Sequence, residues 1–180
     1  MSLSSARSKI LENMLLNEKQ ATVRDIANEV GSEFKPANMH LIGLAKAGYA
    51  VSPSKGFYVI TQKGKEALGI PEVTKECAQQ LLATTSQERA FHFYVDVDKP
   101  LNLYARGLRE FAETLAKVES ASLEFHVCRG DFERWFTSLG DAELSKKMAL
   151  LQAKGLTGEQ LRAKLREIVD SHCSALSLLA

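Results

Sequence analysis

Cysteine is scarce in this sequence, with Cys77, Cys128 and Cys173 far apart in 180 residues and no Cys-x-x-Cys pair. An odd, scattered set is the usage of a protein that keeps its thiols reduced, so no disulfide framework is expected. Proline is scarce too, with four, which excludes collagen-like and proline-rich architectures. No apolar run approaches the roughly 18 residues of a membrane helix. The start, Met-Ser-Leu-Ser-Ser-Ala-Arg, lacks the apolar stretch of a secretory signal. A large excess of one charge is missing as well, since 23 Lys and Arg face 22 Asp and Glu. These absences give the expectation of a cytoplasmic protein with no membrane role.

What is present suits a folded chain: 45% apolar and 25% charged residues. A chain this long buries about 70% of its unfolded surface and folds without a metal or disulfide. The charge is unevenly placed. Residues 1–70 carry nine Lys and Arg against six Asp and Glu, whereas residues 71–180 carry 14 against 16. A basic first part and an acidic second part point weakly to a polyanion partner on one side.

Periodicity supplies the elements. Ile10, Leu11, Met14 and Leu15 recur at helical spacing within 5–17, with Ser4 or Ser5 available as cap. Thr22 and Asp25 open a second helix with Val23, Ile26, Ala27 and Val30 on its inner side, stopped by Gly31. A third helix starts near Lys35-Pro36, turns Ala37, Leu41 and Leu44 inward, and ends at Gly48. Residues 49–51 and 57–60 are β-prone runs around the turn Ser52-Pro53-Ser54-Lys55-Gly56, a hairpin signal. Thr61 then caps a short helix over 62–68.

Three helices, a hairpin and a fourth helix in this order make a winged helix-turn-helix. The sequence also resembles that family in its residues. These are Thr22-Val23-Arg24-Asp25-Ile26-Ala27, then Leu41-x-x-Leu44-x-x-x-Gly48-Tyr49-x-Val51, and Tyr58-Val59-Ile60-Thr61-Gln62-Lys63-Gly64-Lys65-Glu66-Ala67-Leu68. In a helix-turn-helix the second helix of the pair enters the major groove, which here is 35–47. With Ala37, Leu41 and Leu44 inward, Lys35, Asn38, Met39, Ile42 and Lys46 face outward or lie at the edge. Asn38 suits adenine, Met39 and Ile42 suit thymine methyl groups, and Lys35 and Lys46 suit phosphate. Lys55 at the wing tip is expected to reach the backbone or minor groove. The helix has no Arg. The competing role for such a module is protein–protein docking without DNA.

In the remainder, Val73, Cys77, Leu81 and Leu82 suggest a connecting helix, and Thr84-Thr85-Ser86-Gln87 a boundary. Residues 90–97 alternate apolar and polar, which predicts one strand. After Pro100 the pattern predicts helices to the end. Leu108, Phe111, Ala112 and Leu115 mark the first, and Ser120 or Ser122 caps the next. Asp131 and Asp141 cap two more, and Thr157-Gly158-Glu159-Gln160 reads as a capping box. The last helix carries the stripe Leu161, Leu165, Ile168, Val169, His172 and Leu176. This part resembles a prokaryotic domain family of unknown function. The residues are Ala105-x-x-Leu108-x-x-Phe111, Ser122-Leu123-x-Phe125-His126-x-x-Arg129-x-Asp131-Phe132-x-x-Trp135 and Leu139-Gly140-Asp141-x-x-Leu144. The resemblance implies no activity.

His126, Arg129, Asp131 and Trp135 are candidates for a small-ligand pocket. His126 alone reads more simply as a core histidine bonded to a carbonyl or carboxylate. A metal site from His92, His126, Cys128 and Asp131 is not expected, because positions 126 and 128 do not share one helical face. No nucleophile, phosphate-cradling or zinc-protease motif appears, so neither an enzyme nor a cofactor is expected; a small enzyme centred on His126 is the remote alternative. The C-terminal stripe is either a core face or a dimer seam, and the apolar tail 176–180 is expected to pack against something. A homodimer would suit palindromic DNA.

The expected fold is mainly α (α+β). An N-terminal winged helix-turn-helix domain covers 1–70, a connecting helix covers 71–86, and a mostly helical C-terminal domain with one strand covers 87–180. The expected function is a double-stranded DNA-binding transcriptional regulator with a possible small-molecule effector.

Overall fold

The computed structural model describes residues 3–17 and 20–180. The fold is mainly α, and the chain divides into two units, Met1–Glu72 and Val73–Ala180.

The first unit contains α1 (Ser5–Asn17), β1 (Ala21–Thr22), α2 (Val23–Val30), α3 (Phe34–Lys46), β2 (Ala50–Val51), β3 (Phe57–Ile60) and α4 (Gln62–Ala67). Each helix forms where the apolar spacing places it. Ile10, Leu11, Met14 and Leu15 of α1 meet Val23, Ile26 and Ala27 of α2 and Ala37, Leu41 and Leu44 of α3 in one buried core. Thr22 and Asp25 complete a reciprocal capping box, and Gly31 ends α2 in the left-handed conformation at φ 65°. β3 is the central strand of an antiparallel sheet in the order β1-β3-β2, pairing Ala21 with Tyr58 and Ala50 with Ile60. β1 was not expected, because two residues are too few for any periodicity to register.

The segment Gly48-Tyr49 to Gly64 is a lock. Thr61 Oγ1 accepts from the Gly64 N–H at 3.2 Å, capping α4, and donates to the Gly48 carbonyl at 2.7 Å. Lys63 Nζ donates to the Ala47 carbonyl at 2.9 Å and lies over the Tyr49 ring. That places a cation on the negative end of α3. Gly64 is required by close approach, since a Cβ there would run into the Tyr49 carbonyl and Ile60.

The second unit contains α5 (Lys75–Leu82), β4 (Phe91–Asp96), β5 (Lys99–Ala105), α6 (Leu108–Leu115), α7 (Ser120–Arg129), α8 (Asp131–Leu139), α9 (Ala142–Gln152) and α10 (Gly158–Leu179). The segment read as a connecting helix is α5, which packs on α10 and α6 inside this unit. Two strands stand where one was expected. Residues 99–105, of which those after Pro100 were expected to be helical, form β5, antiparallel to β4 with Phe91 opposite Ala105 and Asp96 opposite Lys99. Asp98 takes φ 60° in the two-residue turn, and Pro100 is tolerated because β5 is an edge. β5 is mostly exposed, so it lacks the buried alternation that would have marked it.

Three capping expectations are corrected. Neither Ser120 nor Ser122 caps α7. Ser120 Oγ donates to Glu159 and accepts from Arg162, and Ser122 Oγ is buried without a partner. Asp131 is the first residue of α8 rather than its cap, because Gly130 takes the left-handed turn between α7 and α8. Thr157 makes no side-chain cap, and the free N–H of Gly158 donates instead to Glu124 Oε1 at 2.7 Å. Asp141 does cap α9, accepting from Leu144 N–H at 2.9 Å.

The core of this unit is aromatic. Phe91, Phe93, Phe111, Phe132, Trp135 and Phe136 meet ring to ring at centroid distances of 4.9–6.4 Å. Such edge and tilted contacts add to the apolar burial. The α10 stripe from Leu161 to Leu176 is wholly buried in the chain's own core. The stripe is therefore no dimer seam. Of the tail, Leu176 is buried and the Ala180 carbonyl accepts from Gln79, whereas Leu178 is 90% exposed and Leu179 49%.

Candidate functional site

Two places combine exposed surface with chemistry, one in each unit. In the first unit it is the outer side of α3. Ala37, Leu41 and Leu44 hold the helix by its inner side, so Lys35, Met39, Ile42 and Lys46, spaced i, i+4, i+7 and i+11, form a stripe on the opposite side. All four are exposed, Met39 at 69%. Asn38 is half-buried at the flank of the stripe. The stripe is about 16 Å long, a length that spans roughly five nucleotide steps of a duplex strand. Lys55 stands exposed in the turn between β2 and β3. No hydrogen bond or ion pair engages Lys35, Lys46 or Lys55 among the described residues. The helix begins at Phe34, one residue before the expected start, and Phe34 is exposed as well. Glu33 caps α3 by its backbone alone, leaving its carboxylate in solvent.

In the second unit an open cleft of about 480 Å³ runs along β4 beside the corner between α7 and α8. His126 is 3% exposed at its base. Its Nε2 lies 2.9 Å from the Tyr94 N–H and its Nδ1 lies 2.8 Å from Asp131 Oδ2. A backbone N–H only donates, so Nε2 accepts and the ring proton sits on Nδ1. Burial pushes the imidazole below its ordinary range, outweighing the pull of Asp131. The ring is thus a neutral tie between strand and helix, satisfying a β4 N–H that has no neighbouring strand. This matches the expectation of a core histidine bonded to a carboxylate.

Asp131 is the hub of the corner. Besides His126 it accepts from Arg129 Nε at 3.2 Å and from an Arg134 guanidinium nitrogen at 2.5 Å. Burial raises its carboxyl, but these three donors outweigh burial and hold it below the usual carboxylate range. Arg129 also lies over the Phe125 ring at 5.0 Å. Trp135, expected beside His126, lies outside the cleft. Its indole N–H donates to the Arg89 carbonyl at 2.9 Å and its rings join the aromatic core. Among the described residues no group of three or more His, Cys, Asp and Glu is arranged to hold a metal, and no helix is long and apolar enough to cross a membrane.

A second buried histidine escaped the sequence reading. His172, placed on the apolar stripe of α10, is 3% exposed with Nε2 2.8 Å from Asp141 Oδ2 and Nδ1 3.8 Å from Glu143. Glu143 also holds Lys147 at 2.8 Å, and Lys147 is fully buried. Burial works against the imidazolium, but the two carboxylates outweigh it and raise the ring to about 9. Two carboxylates and two cations then balance inside the core. The signal available was a histidine interrupting an apolar stripe. Glu143 and Lys147, spaced i and i+4, look like an ordinary surface pair.

Comparison of the chain with family models, with curated proteins and with solved structures finds no match.

Proposed function

We propose that the first unit is a winged helix-turn-helix that binds duplex DNA, and that the protein is a transcriptional regulator. The observation that carries this reading is the α3 stripe, with two lysines at its ends that have no carboxylate partner among the described residues and apolar groups between them. Phosphates take the ammonium groups, and thymine methyl groups suit Met39 and Ile42. Asn38 at the flank is the residue that suits an adenine edge. The hairpin carries Lys55 as a further phosphate contact.

The same stripe supports the docking alternative through Phe34, Met39 and Ile42, which are exposed. The two readings part on charge: a protein groove for these side chains would bury the lysine ammonium groups against carboxylates or leave them idle. The enzyme alternative has less behind it. Both ring nitrogens of His126 are engaged inside the fold, so the imidazole has no free lone pair for a ligand's proton. In our reading the second unit senses rather than catalyses. Arg129 and Arg134 each keep N–H donors after binding Asp131, so the cleft suits a small anionic effector.

The test is double substitution of Lys35→Ala and Asn38→Ala, with bound sequences first selected from random duplex DNA. The expected result is binding weakened by at least tenfold with the melting temperature unchanged, since both side chains are outside the buried core. Unaltered affinity would mean that α3 is not the helix that reads DNA.

A further inference from the structure

We propose that Arg7 of α1 is an additional phosphate-backbone contact of this interface, held in place by Gly43 of α3. The inference rests on the DNA-binding reading and extends it to a helix that the helix-turn-helix pair does not include.

Gly43 sits in the last turn of α3, within the helix, where glycine is a poor helix former. Nothing about its backbone asks for glycine, since its φ is not in the left-handed region. The reason lies in what covers it. A Cβ at Gly43 would stand 2.8 Å from one terminal nitrogen of Arg7 and 3.4 Å from the guanidinium carbon. The tip of the guanidinium therefore lies against the bare backbone of α3, and a side chain at 43 would have to displace it.

Position 43 follows Lys35 by eight residues, so it borders the outer stripe between Met39 and Lys46. Arg7 is half-buried, yet no carboxylate pairs with it and no hydrogen bond engages it among the described residues. Arg106, Arg129, Arg134 and Arg162 in the second unit each sit on a carboxylate. Arg7 instead packs against Gly43, and none of its N–H donors is engaged among the described residues. Its planar guanidinium carries donors matched to two phosphate oxygens.

The front of α3 also explains why the flank matters. A phosphate at the helix N-terminus would meet the exposed carboxylate of Glu33, so the usual anchoring there is opposed by like charge. Anchoring from the side, by Arg7 and Lys46, avoids that carboxylate.

The experiment measures affinity for random-sequence duplex DNA across a salt series for the full chain and three variants. For Arg7→Ala we expect about tenfold weaker binding, equal on all sequences, and a salt slope lower by about 0.9. Arg7→Lys should keep the slope. Gly43→Ala should raise or maintain the melting temperature, as alanine is the better helix former, and yet weaken DNA binding toward the Arg7→Ala value by pushing the guanidinium away. A purely structural role for either residue would not weaken binding while stability rises. Wild-type affinity and slope in Arg7→Ala would overturn this inference and leave the α3 reading intact. Absence of any binding by the unaltered chain would overturn both.

Discussion

The cations on the outer side of α3 and five cations of the second unit differ in their surroundings. On the outer side of α3, Lys35, Lys46 and the neighbouring Arg7 have no partner among the described residues. In the second unit, Arg106, Arg129, Arg134, Lys147 and Arg162 all lie on carboxylates, and Lys147 does so with no solvent exposure. An exposed unpaired cation contributes little to stability and remains wholly free for an external anion, whereas a paired one is at least partly engaged by the fold. The difference suggests that the first unit faces outward chemically and the second is built around its own polar groups.

The sharpest way to break this comparison is to delete one lysine from each unit. Lys147→Ala removes the shorter of the two cation contacts of Glu143 in the core and leaves a cavity, and should cost about 3–5 kcal/mol of stability in urea unfolding. Lys46→Ala should change stability by less than about 0.5 kcal/mol while weakening DNA binding. Equal effects on stability would erase the distinction between the two kinds of charge.

A smaller effect separates the two buried histidines. His172 has its folded value raised to about 9 from an ordinary 6.5. Its contribution is full below pH 6.5 and is lost as pH rises through about 9, an expected fall of about 3 kcal/mol. His126 is shifted the other way by burial, so its contribution is present above pH 6.5 and lost as pH falls. Unfolding followed between pH 5 and pH 10 should therefore show alkaline weakening that disappears in His172→Asn and persists in His126→Gln. Persistence in both would mean that the Asp141, Glu143 and Lys147 cluster does not hold His172 protonated.

Much of the first unit was legible in the sequence because its signals are local. The inward set Ala37, Leu41 and Leu44 fixes the outward set by helical geometry alone, and Thr22, Gly31 and Thr61 punctuate the elements with their own side chains or dihedral freedom. Arg7 was not legible, because its relation to Gly43 exists only after α1 packs on α3. In the second unit the strand β5 was hidden by its exposure. Ser120 and Thr157 are not caps because long-range partners, Glu159, Arg162 and Glu124, decide those helix ends, and Asp131 is not one because a left-handed glycine at 130 precedes it. His126 was read correctly as a core residue, but Trp135 was drawn into its pocket only by sequence proximity.

The central claim is that the first unit presents free cations to a phosphate backbone, and the salt dependence of duplex binding by the full chain tests it most directly. With Arg7, Lys35, Lys46 and Lys55 each releasing a counterion, the logarithm of the binding constant should fall against the logarithm of salt with a slope of about −3 to −4. A slope near zero, or no binding to duplex DNA at low salt, would contradict the account.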